Sequence, residues 1–170
     1  MADDKKGMLR HVDILGRVVI PREVRKSLRI NYGDLMEFSV LNNKEITIRK
    51  FEVISDIASF IANIVSLIRL VYDADIVVTD RESVVCFDGN IKSEVLEDNF
   101  LKLLEKREAV VENKIAISNE ITFNQNSYIK PLILNGDVLG GVVISTKKVI
   151  QKAEKDIVDN LVKIICDYFS

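Results

Sequence analysis

Apolar residues alternate on both sides of a single glycine, Gly16. Met8–Val12 and Arg17–Ile20 read as two short strands around a turn. Gly16 supplies the positive φ that such a turn needs. Pro21 follows, with its φ preset for the first turn of a helix, and Glu23 lies in that first turn, where the helix dipole favours an acid. In the stretch beyond it Arg22, Arg25, Lys26 and Arg29 fall at i, i+3, i+4 and i+7. On a helix that spacing collects four cations on one face, with Val24, Ser27 and Leu28 on the other side. Asn31-Tyr32-Gly33-Asp34 breaks the helix, and strands over 35–41 and 45–49 form a hairpin around Asn42-Asn43-Lys44.

The pattern then changes. Residues 52–72 are nearly all apolar and predict a long helix, entered from Lys50-Phe51-Glu52 without Gly or Pro, so the junction transmits orientation. Strands are expected over 75–79 and 83–87, the second ended by Asp88-Gly89. Ser93 is the expected N-cap of a helix over 94–106 with Val95, Leu96, Phe100, Leu103 and Leu104 on one face. Strands follow near 109–117 and 128–134. Asn135-Gly136 marks a hairpin into a nearly continuous apolar strand over 138–145, hence a central one. The last helix, over 148–169, repeats Ile150, Ala153, Ile157, Leu161, Ile164 and Tyr168 at spacings of three and four, as a packing seam.

Charge sharpens this division. The 170 residues carry a net charge of −2, but residues 1–50 hold eleven Lys and Arg against seven Asp and Glu, net +4. The remainder holds 13 basic and 19 acidic residues, net −6. Such asymmetry points to a nucleic-acid-binding part, 1–51, joined to a second domain, 52–170. Fifty residues of the first kind bury too little apolar surface alone, so dimerisation is expected. The apolar run over 57–72 spans 16 residues and carries Asn63 and Arg69, so it reads as a buried helix within an oligomer, not a membrane span. The N-terminus is polar, without the apolar region of a signal peptide. Cys86 and Cys166 sit in apolar runs and read as small core residues of a cytosolic protein.

Catalysis is not expected. His11 is the single histidine, which leaves no Ser-His-Asp arrangement or histidine metal cluster, and there is no phosphate-binding glycine loop. No cofactor and no metal are expected.

The segment Gly7-Met8-Leu9-Arg10…Asp13-x-Leu15-Gly16-Arg17-Val18-Val19-Ile20-Pro21-x-Glu23-Val24-Arg25-Lys26-x-Leu28 resembles the AbrB-type swapped-hairpin DNA-binding domain. Gly33-Asp34-x-Met36-Glu37-Phe38 and Ile46-x-Ile48-x-Lys50 fit the same domain. The remainder is similar to the GAF domain that follows it in a group of sporulation regulators. The matches there are Asn126-Ser127-Tyr128, Pro131, Asn135-Gly136-Asp137 and Gly140-x-Val142-Val143-Ile144. The resemblance implies an α+β fold: an N-terminal swapped-hairpin β-barrel formed as a dimer, then a GAF-like antiparallel sheet flanked by helices. It implies a sequence-specific transcription regulator of sporulation genes, acting in the cytoplasm of the forespore on double-stranded DNA. Arg10, Arg17, Arg25 and Lys26 match the family's DNA-contacting positions, and Arg22 joins them through the helical stripe. Lys26 stands where the family has arginine and acts there as a point charge. His11 stands where the family has Lys or Arg, which lowers charge at neutral pH and makes the contact pH-sensitive.

The helices over 52–72 and 148–169 expose more apolar surface than one small domain hides, so a tetramer through them is expected. The second domain is either a sensor for a small-molecule effector or an oligomerisation module. An antitoxin with the same N-terminal fold is the alternative function. It would carry a short disordered toxin-wrapping tail instead of some 120 folded residues.

Overall fold

The computed structural model describes residues 7–28, 30, 32–34, 36–42, 44–50 and 54–169. The chain divides into two compact units, Met1–Phe51 and Glu52–Ser170.

The first unit holds helix α1 (Arg22–Ser27) and a hairpin of strands β1 (Met36–Leu41) and β2 (Glu45–Lys50). The hairpin pairs antiparallel from Met36↔Lys50 to Leu41↔Glu45, and Arg49 pairs with Glu37 across it. Met8–Val12 and Arg17–Ile20, expected as strands, belong to none. A strand needs a neighbouring ladder, and among the described residues these segments are joined only by their turn. Pro21 sits one position earlier than expected: it is the N-cap, with φ −56° and ψ 146°, and the helix begins at Arg22. The helix ends at Ser27, so a fourth cation at position 29 lies beyond it, outside the described residues.

In the second unit a 3-10 turn (Ser55–Ile57) leads into α2 (Ala58–Val71). The expected helix over 52–72 is therefore shorter, and the junction over 51–53 lies outside the described residues. Strands β3 (Asp75–Thr79), β4 (Ser83–Phe87) and β5 (Asn90–Val95) follow, then α3 (Asp98–Glu105) and strands β6 (Val110–Glu112), β7 (Ile115–Ala116) and β8 (Thr122–Phe123). Strands β9 (Asn126–Leu134) and β10 (Asp137–Thr146) and helix α4 (Lys152–Tyr168) complete it. Six strands form one antiparallel sheet in the order β5-β4-β3-β10-β9-β6, and β10 is central as its apolar run implies.

Two expectations fail at β5. Ser93 is no N-cap, and the helix over 94–106 begins only at Asp98. The reason is local: Asp88 and Gly89 have φ of 49° and 84°, the left-handed pair of a tight hairpin turn, so the chain folds straight back as β5. Asn135 and Gly136 (φ 52° and 87°) make the same turn between β9 and β10. The strand expected over 109–117 is two short pieces, β6 and β7, the latter paired with β8.

Alternation along the strands serves two faces. Val77, Ile129 and Val143 face α3 and the β7–β8 hairpin, in a core with Phe100, Leu104, Ile117 and Phe123. The intervening Tyr128 meets α4, where its hydroxyl donates to Asp159 at 3.4 Å and Lys130 pairs with Asp159 at 2.7 Å. The stripe that α4 buries is Val158, Leu161 and Ile165. Of the expected seam only Leu161 is fully buried, because the sheet selects the neighbouring face of the helix; Ile164 and Tyr168 are exposed. Likewise α2 buries Ile61, Ala62 and Val65, while Leu67 and Leu70 stay 63% and 82% exposed on the single protomer.

Candidate nucleic-acid interface

Ile14 and Leu15 form the turn after Asp13, and Gly16 closes it. Gly16 has φ +76°, where a Cβ is costly, and its N–H donates to the Asp13 carbonyl at 2.9 Å. The Asp13 N–H donates to the Arg17 carbonyl at 3.0 Å. The Asp13 side chain closes the turn a second time: Oδ1 accepts the backbone N–H groups of Leu15 and Arg17, each at 2.9 Å. Its Oδ2 accepts Arg17 Nε at 2.8 Å. The Arg17 N–H and guanidinium hold the Asp13 carboxyl below its ordinary range. Asp13 belongs to the motif but not to the residues that the sequence singles out, and its roles emerge only when the turn closes around it.

Arg10, His11, Arg17, Arg22, Arg25 and Lys26 are all exposed. Arg10 donates to the Leu9 carbonyl at 2.8 Å. His11, Arg22, Arg25 and Lys26 have no side-chain hydrogen bond or ion pair to other described residues. On α1, Glu23 lies in the first turn and Arg25 and Lys26 in the last, the charge order that a helix dipole favours. Between 7 and 28 five Lys and Arg stand against two acids. A surface with that excess and so few internal partners is free to meet phosphate.

The same segment carries an apolar groove, which Arg10 borders. Met8, Val18, Ile20, Val24, Leu28 and Ile48 line a groove of about 470 Å³. Leu9, Ile14 and Val19 are also exposed. The unit thus combines exposed cations with an open, largely apolar groove.

Among the described residues no three His, Cys, Asp or Glu side chains gather as a metal site. No described helix is long and apolar enough to cross a membrane. Cys86 is fully buried and Cys166 partly so, and burial raises both thiols above their usual range.

Residues 12–52 match the MazE family, described as antidote-toxin recognition, bacterial antitoxin. Residues 54–169 match the family described as stage V sporulation protein T C-terminal, transcription factor. Stage V sporulation protein T of Bacillus subtilis (strain 168) is 32% identical over 149 residues, which cover 83% of this chain and 84% of that one. Among solved structures, residues 122 to 287 of a methyl-accepting chemotaxis protein superpose with a TM-score of 0.50 at 12% identity, covering 68% of this chain and 88% of that one. A GAF sensor protein from Burkholderia vietnamiensis gives 0.42 at 11% identity, over 75% and 94%. With a family match over most of the second unit and a relative aligned across both units, the chain belongs to the stage V sporulation protein T family of transcription factors.

Proposed function

We propose that this chain is a sequence-specific DNA-binding regulator of sporulation genes, working in the cytoplasm of the forespore. Residues 1–51 bind double-stranded DNA and 52–170 link protomers. The observation that carries the reading is that Arg10, Arg17, Arg22, Arg25 and Lys26, with His11 beside Arg10, are all exposed on the segment around one turn and on one short helix. The protomer is incomplete for this task. Its hairpin segments have no ladder of their own, and the groove lined by Val18, Val24 and Ile48 is open. A second copy supplying its hairpin would cover the groove and place two cationic faces side by side, as two half-sites require.

The second unit acts as an oligomerisation domain. The sheet face beneath α3 is filled by Phe100, Leu104, Ile117 and Phe123, while α2 presents Leu67 and Leu70 outward. Pairing through α2 and α4 makes a tetramer of two DNA-binding dimers.

The antitoxin reading draws on the match over 12–52, but the 116 residues of the sporulation match speak for a regulator. The test is enrichment of genomic fragments by the full chain and by an Arg17→Ala, Arg25→Ala variant. Enrichment of defined sequences by wild type alone supports the reading. Equal, sequence-blind retention by both overturns it.

A further inference from the structure

We propose that Asp13 is a positioning residue that fixes the Arg17 guanidinium for base readout, a role that rests on the DNA-binding reading above. The two carboxylate oxygens do separate jobs. Oδ1 holds the turn through the N–H groups of Leu15 and Arg17, and Oδ2 holds the side chain of Arg17 through Nε. The backbone bonds between Asp13 and Arg17 and between Gly16 and Asp13 close the turn independently. Holding Arg17 is therefore a function added to a turn that already stands.

The consequence lies in which donors remain. A guanidinium has five N–H groups in a rigid fork. With Nε spent on Asp13, the Nη1–Nη2 edge is left without a partner among the described residues. That edge can address O6 and N7 of guanine in a bidentate fashion. A free surface arginine would lose rotamer entropy on reaching a base, whereas one already clamped at Nε has lost part of it beforehand. The carboxylate also offsets the charge of Arg17, which makes it a poorer partner for phosphate than Arg22, Arg25 and Lys26, which pair with no acid among the described residues. Asp13 thus divides the labour of the surface between base reading at the turn and phosphate binding on α1.

Asp13→Asn tests this in the full-length chain. Asparagine keeps a carbonyl oxygen for the two backbone N–H groups and loses the ionic grip on Nε. The probes are a duplex selected by the wild-type chain from a random-sequence pool and a shuffled duplex of the same composition. Affinity for the selected duplex should fall about two- to tenfold per engaged protomer, the range for freeing one long side chain. Affinity for the shuffled duplex should hold or rise, since each protomer loses a negative charge. In an Arg17→Ala background Asp13→Asn should cost no further selectivity. Equal losses on both duplexes, no loss on either, or a loss that persists without Arg17 would each overturn the role, the last by assigning it to the fold. If the wild-type chain selects no sequence, the DNA-binding reading fails, and this role with it. If it selects one and Asp13→Asn selects it equally well, only this role fails.

Discussion

Ser55 Oγ donates to Asp80 Oδ2 at 3.1 Å, tying the 3-10 turn that opens the second unit to the turn between β3 and β4. The same carboxylate accepts the N–H groups of Glu82 and Ser83 at 2.7 and 2.6 Å and the Ser83 hydroxyl at 3.1 Å. One side chain thus sets both the β3–β4 turn and the entry to α2. Asp80→Ala should destabilise the second unit by about 1–3 kcal/mol, because the half-buried donors of Ser55 and Ser83 lose a charged acceptor. The check is a urea midpoint that falls with an unchanged slope. Asp80→Asn should recover part of it.

Arg17→Ala should weaken binding to the selected duplex by about 1–3 kcal/mol if its fork reaches a base edge. Lys26→Ala should instead weaken selected and shuffled duplexes alike. Anisotropy titrations of both variants distinguish the two, and identical profiles would count against the split between turn and helix.

Salt dependence measures the phosphate contacts directly. A dimer that sets about four basic side chains per protomer against DNA, some of them on bases, should give a log–log slope between about −4 and −7. A slope near zero in a titration with salt would remove the electrostatic basis of the proposal.

The exposed face of α2 makes an assembly prediction. Leu70 is 82% exposed, so Leu70→Glu should leave the fold of the second unit intact. In sedimentation it should reduce a tetramer to dimers, with a loss of DNA affinity on the order of 10²-fold where both dimers engage one operator. A wild-type chain that sediments as a stable dimer would refute this assembly.

Two carboxylates should pull the pH dependence of stability in opposite directions. Burial raises Asp88, beside Asp75, despite its bonds from the Ile76 N–H and Arg69. The folded state then binds more protons than the unfolded one, so this contribution is complete below the ordinary value of 3.8 and is lost as pH rises through the raised value. Ser118 Oγ, donating at 2.6 Å, lowers Glu94, so its contribution is present above 4.5 and is lost as pH falls. Melting temperatures across this range should show a smaller decline with rising pH for Asp88→Asn than for wild type. For Glu94→Gln they should show a smaller decline with falling pH.

The elements that could be read from the chain were those written locally. The turn at Gly16, the β1–β2 hairpin, β3 and β4, and the hairpin at Asn135-Gly136 all depend on residues adjacent in sequence. Strand β5 was equally local, since Asp88-Gly89 is a hairpin signal of the same kind. Because β5 occupies Asn90–Val95, α3 starts at Asp98 and not at 94.

The sequence by itself determined the cationic stripe of α1, the charge division between the two parts, and a central β10, because periodicity and charge are properties of neighbouring positions. Only tertiary structure decided which stripe of α4 is buried. Ile157 and Ile164 are as apolar as Val158, Leu161 and Ile165, and the packing of α4 on β9 and β10 decides which of them are covered. The same holds for Met8–Val12 and Arg17–Ile20. Their pattern is that of strands, but a strand is completed by the ladder beside it, and among the described residues no ladder pairs with them.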